Sequence, residues 1–227
     1  FLNHMLFGIY PYIALAILAL GSVIRYDREP YSWRSGSSQL LRRKQLMWGS
    51  VLFHAGVLVI FFGHLGGLLT PIALFDALGI PHSSKQILAI VAGGLAGILA
   101  FAGATLLLDR RLFDPRIRNT SSFSDIMIWL QLVLGLGTIP VSMNHLDGDE
   151  MVKFRTWAQG IFTFQGDASS YVADAHIIFK THLVLGLTIL LLFPFTRLVH
   201  MLSAPVRYVW RPGYQVVRSR KLGLRHG

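Results

Sequence analysis

The stretch FHAGVLVIFFGHLGG, Phe53–Gly67, is apolar throughout except for two histidines, His54 and His64. Followed outward, its uncharged run extends over about residues 46–69, long enough for the ~20 residues a helix needs to cross a bilayer. The whole chain has the same character. Of its 227 residues, 53% are hydrophobic and only 14% charged, and the mean hydropathy is +0.52, outside the balance of a soluble globular domain. There is no cysteine, which excludes disulfides, thiol catalysis and Cys-ligated zinc or iron–sulfur centres. A cofactor must therefore be held by histidine, carboxylate or backbone.

Four further apolar runs lie at about 5–24, 87–108, 126–144 and 177–202, the last with Lys180 and Arg197 toward its ends, which predicts an all-α integral membrane protein of five transmembrane helices in a single domain over 1–227. The first run lacks a basic leader and a small-residue cleavage site, so it is read as a retained helix. The third carries Gly93, Gly94, Gly97 and Gly103, small residues that let helices approach closely in lipid. Of the 21 Lys and Arg residues, 17 fall between spans one and two, after span three, or from Arg197 onward; the other four are Lys85, Lys153, Arg155 and Lys180. By the positive-inside rule the 17-residue side is cytoplasmic, which places the N-terminus outside and the basic tail from about 203 to 227 inside. The net charge of +10 thus follows topology and implies no nucleic-acid partner. The outer segment containing KFRTWAQGIFTF reads as a short interfacial helix or an ordered loop.

The fifth span carries His182 and His200. A lone membrane histidine often serves as an interhelical hydrogen bonder, but two on each of two helices point to a shared role. Spans two and five run antiparallel, so His54 faces His200 near the cytoplasmic side and His64 faces His182 toward the outside. Two His–His pairs at two depths suit two bis-histidine haems. On continuous helices the ten-residue spacing rises ~15 Å and the eighteen-residue spacing ~27 Å. Their mean predicts irons ~21 Å apart, with Pro194 as a kink that reduces the mismatch. Gly56, Gly63 and Gly186 offer clearance for a macrocycle or, equally, sites of helix packing. His82, His145 and His176 lie at outer boundaries and His4 and His226 at the chain ends; His176 is the one rival to His182. Arg34, Arg110 and Arg111 are candidate partners for the inner haem's propionates, since Arg suits carboxylates. Lys85 stands where cations are scarce, as an interfacial lysine or as a hydrogen-bond donor to a quinone near the outer haem. No carboxylate lies within the five runs, which argues against a haem-free transporter relaying protons through histidines.

IYPYIALAILALGSVIRYD, WRSGSSQLLRRK, LFHAGVLVIFFGHLGGLLTP, RRLFDPRIRNT, HLVLGLTILLLFPFTRLVH, HLDGDEMVKFRTWAQ and YQVVRSR together resemble the gamma subunit of respiratory nitrate reductase, its dihaem cytochrome b membrane anchor. The likeness covers nearly the whole chain; DALGIPHSSK, just before and including Lys85, departs from the family in length and polarity. The resemblance implies two haem b groups, held by His54 and His200 (proximal, inner) and by His64 and His182 (distal, outer). It implies quinol oxidation near Lys85 and Gln86, with electrons leaving to an iron–sulfur beta subunit and a molybdenum-containing alpha subunit at the cytoplasmic membrane of a bacterium or archaeon. Membrane anchors for nitrite oxidation, formate dehydrogenase or hydrogenase are the related alternatives, with less similar spacings and loops.

Overall fold

Five helices of the computed structural model are long and apolar enough to cross a membrane: α1 (Leu2–Arg28), α2 (Arg43–Leu69), α4 (His82–Phe113), α6 (Phe123–Met143) and the helix beginning at Ile177. The structure describes residues 1–33, 41–119, 121–144 and 146–203, and these contain no strand. Between the long helices lie α3 (Ile72–Ala77), α5 (Pro115–Arg118) and α7 (Asp149–Phe162). The fifth span comprises α8 (Ile177–Leu192) followed by the 3-10 turn Phe193–Phe195; a second 3-10 segment covers Arg197–Ser203. The five expected spans are thus present; the first four begin before their expected runs, while the fifth ends at Phe195, short of the expected residue 202. Arg34 and most of the basic tail lie outside the described residues.

The helices pack in the order α2, α4, α6, α8, α1. The α2–α4 contact is the closest, for a reason visible in the sequence. Modest side chains line it, and a Cβ at Gly56 would lie 2.4 Å from Ala96 O, one at Gly103 2.3 Å from Phe53 N. Only backbone-to-backbone approach is possible there, the packing mode that small residues allow in lipid. Gly56 is therefore a packing residue, whereas a Cβ at Gly63, beside His64, meets nothing within 4 Å. Gly186 also packs, its Cβ position 3.1 Å from Gln131 Nε2. α2, with His54 and His64, and α8, with His182, share no close packing; His200 lies beyond α8, in the 3-10 segment Arg197–Ser203.

Prolines shape both ends of this arc. Pro11 has no N–H to give to Phe7 O, and the chain passes through a π-turn at Met5–Ile9 just before it. The freed carbonyl accepts from Trp157 Nε1 at 2.8 Å, which draws α7 onto α1 in a buried cluster of Phe7, Trp157, Ala158, Ile161 and Val172. The predicted interfacial helix exists, and part of it is core.

Pro194 does more than kink the fifth span. The α-helix stops at Leu192, passes through the 3-10 turn and becomes extended at Thr196 (φ −115°, ψ 178°). Arg25 of α1 takes the carbonyls this break releases, donating to Pro194 O at 2.5 Å and Thr196 O at 2.8 Å, while its other donors reach Ser32. Gly21 permits that approach, since a Cβ there would lie 2.9 Å from Pro194 Cγ.

Candidate functional site

The two histidine pairs form as topology requires. The rings of His54 and His200 have centroids 6.3 Å apart, and those of His64 and His182 are 6.2 Å apart. A metal–imidazole bond of about 2.0–2.1 Å, with each ring centroid roughly 1.1 Å behind its coordinating nitrogen, puts two trans imidazoles about 6.3 Å apart. Both pairs match that separation. Neither belongs to a cluster of three or more His, Cys, Asp or Glu among the described residues. A metal held by such a pair would have to bring its remaining ligands with it, as a macrocycle would supply them.

Ring orientation is set by the backbone. His54 Nδ1 lies 2.8 Å from Ser50 O, His64 Nδ1 2.8 Å from Ile60 O, and His200 Nδ1 2.6 Å from Arg197 O. A carbonyl only accepts, so each Nδ1 carries the proton and each Nε2 presents a lone pair, the tautomer that outer-shell bonding selects for a metal ligand. His182 is held differently. Its Cε1 lies 3.1 Å from where a Cβ of Gly135 would be, and Gln131 Nε2 donates to His182 O at 3.1 Å, with a longer 3.4 Å approach to Nε2. Gln131 and Gly135, one turn apart on α6, are residues the sequence reading missed; a side chain at 135 would push the ring away.

On α2, His54 and His64 are ten residues apart, a rise of about 15 Å. The ~27 Å rise expected between His182 and His200 on an unbroken helix does not apply, because α8 ends at Leu192 and the last eight residues to His200 are not α-helical. His200 meets His54 from a short, anchored segment instead. Arg25 grips its start, and Arg197 NH2 reaches Asp125 Oδ2 at 2.8 Å on α6. The rival His176 is the N-cap of α8, its Nδ1 accepting from Ile178 N–H at 3.3 Å. His82 lies 3.6 Å from Asp76, while His145 and His226 lie outside the described residues.

At the basic end, Arg110 and Arg111 are both buried. Arg110 NH2 donates to Leu41 O at 2.5 Å; Arg111 lies 3.5 Å from Asp125, which also pairs with Arg197. Two guanidinium groups, those of Arg111 and Arg197, thus lie against one carboxylate, Asp125. Arg197 is a member of this group that the sequence left among the topological charges.

At the opposite end the cations are fewer and more deeply placed. Lys85 is 8% exposed, and its Nζ lies 4.4 Å from the centre of the Phe75 ring, without a hydrogen-bond partner among the described residues. Gln86 beside it donates to Ser142 O at 3.1 Å. Arg155 is 1% exposed, with its guanidinium carbon 4.7 Å from the same Phe75 centre. Its Nε donates to Gly67 O at 2.7 Å, three residues beyond His64, and Gln159 one turn later takes Leu68 O and Thr70 O. α7 therefore caps the carbonyl end of α2. Burial lowers the pKa of the Arg155 guanidinium from its ordinary value, with the Asp76 carboxylate opposing. Gly148 at the start of α7 has φ +94°, and a Cβ there would fall 2.7 Å from His82 Cβ, so only glycine brings α7 this close to α4.

Comparison with known proteins agrees with this architecture. Residues 3–220 match the family described as "Nitrate reductase gamma subunit". The chain is 50% identical over 224 residues to the respiratory nitrate reductase 1 gamma chain of Escherichia coli (strain K12), covering 97% of this chain and 99% of that one. It is 40% identical over 222 residues to the nitrate reductase gamma chain of Bacillus subtilis (strain 168), covering 96% and 99%. It is also 32% identical over 231 residues to the nitrate reductase-like protein NarX of Mycobacterium tuberculosis (strain CDC 1551 / Oshkosh), covering 97% of this chain and 34% of that one. With matches of this length and identity joined to five membrane-length helices, the chain belongs to the nitrate reductase gamma subunit family, as a membrane subunit of a respiratory complex.

Proposed function

We propose that this chain is the quinol-oxidising dihaem cytochrome b of a respiratory nitrate reductase, with its N-terminus outside and its basic end in the cytoplasm. His54 and His200 hold the inner haem iron, His64 and His182 the outer. The observation that carries the reading is the pair of cross-helix imidazole contacts at 6.3 and 6.2 Å, three of whose four rings have Nδ1 committed to a carbonyl. Bound haem b supplies reversible one-electron iron chemistry, so two at these levels relay electrons from membrane quinol to an iron–sulfur beta subunit and a molybdenum-containing alpha subunit on the cytoplasmic side.

The protein's own groups supply position and charge. Arg110 and Arg111, with Arg34 outside the described residues, are assigned to the propionates of the inner haem, because guanidinium groups suit carboxylates. Lys85 is assigned to the quinol head group as a hydrogen-bond donor. Quinol oxidised at the outer end gives its two protons to the outside.

A pyridine haemochrome assay with a redox-titrated spectrum of the purified chain tests this. Two b-type haems per chain with separable potentials are expected; a chain without haem overturns the reading. Arg25 provides a second check on the inner site. Its charge-assisted bonds are each worth about 1.5–3 kcal/mol, so Arg25→Gln should release the 193–203 segment and weaken inner-haem retention by roughly tenfold or more. The outer haem should stay, as read from the two spectral components. Loss of both haems together would show that Arg25 supports the whole bundle instead.

A further inference from the structure

Lys85 and Arg155 approach one Phe75 ring, at 4.4 and 4.7 Å, and both are more than nine-tenths buried. Neither is in an ion pair among the described residues; Lys85 Nζ and Arg155 NH1 each lack a hydrogen-bond partner there. Two like charges in one apolar site cost free energy unless an anion joins them. An aromatic face offsets only part of that cost, and Asp76, the one carboxylate whose field reaches both, is half exposed and lies against His82. Lys153 on the same helix shows the ordinary solution, with Glu150 at 2.7 Å holding its ammonium above the usual range. Arg155 is also tied by Gly67 O to the last turns of α2, close in sequence to His64.

We propose that Arg155 and Lys85 together form a receptor for a singly charged oxygen, and that its ligand is a hydroxyl oxygen of the quinol head group as that hydroxyl loses its proton. The proton passes to the outer aqueous phase and the oxygen keeps the bonding electron pair; the planar, forked guanidinium and the point charge of the ammonium then hold the anion from two directions. Arg155 is a binding residue in this account, additional to Lys85 and resting on the quinol-oxidising reading above. The other oxygen anion available within that reading is a propionate of the outer haem, and the test separates the two.

The assay is fluorescence quenching on binding to membranes that contain the whole complex. Its probes are 2-heptyl-4-hydroxyquinoline N-oxide, whose oxygen is readily anionic, and the matching neutral quinolone without the N-oxide. Arg155→Gln should weaken N-oxide binding about tenfold or more, the range of a charge-assisted hydrogen bond, and alter quinolone binding less than about twofold. Arg155→Lys should restore most of the loss. Combined with Lys85→Gln, the total loss should fall short of the product of the two single effects, because both groups act on one oxygen. Equal losses for both probes, or none, would overturn the proposal and leave Arg155 as a cap on α2. Loss of the outer-haem absorption in Arg155→Gln, restored by Arg155→Lys and with unchanged discrimination between probes, would assign the anion to the propionate and overturn it too. If neither probe binds the unmodified complex, the quinol-oxidising reading itself fails.

Discussion

His64→Ala and His182→Ala should each remove the outer haem and spare the inner, while His54→Ala and His200→Ala should do the reverse. The expectation follows from which rings meet: the contacts run between α2 and the chain beginning with α8, at two levels, so each substitution would remove one imidazole from one pair only. Quinol-linked nitrate reduction should fall in all four variants by more than the roughly 10–100-fold that loss of an outer-shell partner costs a metal site. Nitrate reduction from an artificial donor to the cytoplasmic partner should persist, because that route bypasses this chain. Redox-titrated spectra of membranes, taken variant by variant, check the assignment. If His54 and His64 variants lost the same spectral component, the cross-helix pairing would be wrong.

Lys85→Ala should lower kcat/KM for quinol about 10–100-fold while both haem spectra remain. A hydrogen bond to a charged donor is worth about 1.5–3 kcal/mol when its loss leaves the partner unpaired, and each ~1.4 kcal/mol is a factor of ten in rate. The ammonium is available for that role because burial against Phe75 gives it no protein acceptor among the described residues. Steady-state quinol oxidation with a haem count on the same sample decides the matter. Loss of a haem in Lys85→Ala would make the lysine a structural residue of the outer site.

Much of this was legible along the chain because it depends on one-dimensional properties. Run length and the alternation of basic loops predict five helices, and helix parity pairs His54 with His200 and His64 with His182 before any contact is seen. The same reasoning carried the fifth span through Pro194 to His200 as one helix, whereas the α-helix stops at Leu192. Proline announces a break, but the size of the break depends on what receives the freed carbonyls. Arg25, 169 residues away along the chain, receives one of them.

The glycines make the same point. Gly56 and Gly63 lie seven residues apart, about two turns of α2, yet one meets the backbone of α4 and the other meets nothing within 4 Å, so register along the helix does not by itself tell which glycine is packed. Arg155 looked like any outer-side cation until α7 folded back onto the end of α2 and buried it beside Lys85. Hydropathy, charge order and histidine spacing by themselves determined the helix count, the membrane class and the identity of the paired rings, since those follow from period and length alone. Only the tertiary structure decided the break of the fifth span after Leu192, the sharing of Asp125 by Arg111 and Arg197 and the convergence of two buried cations on Phe75. Each of those depends on which helix faces meet, and distant residues settle that together.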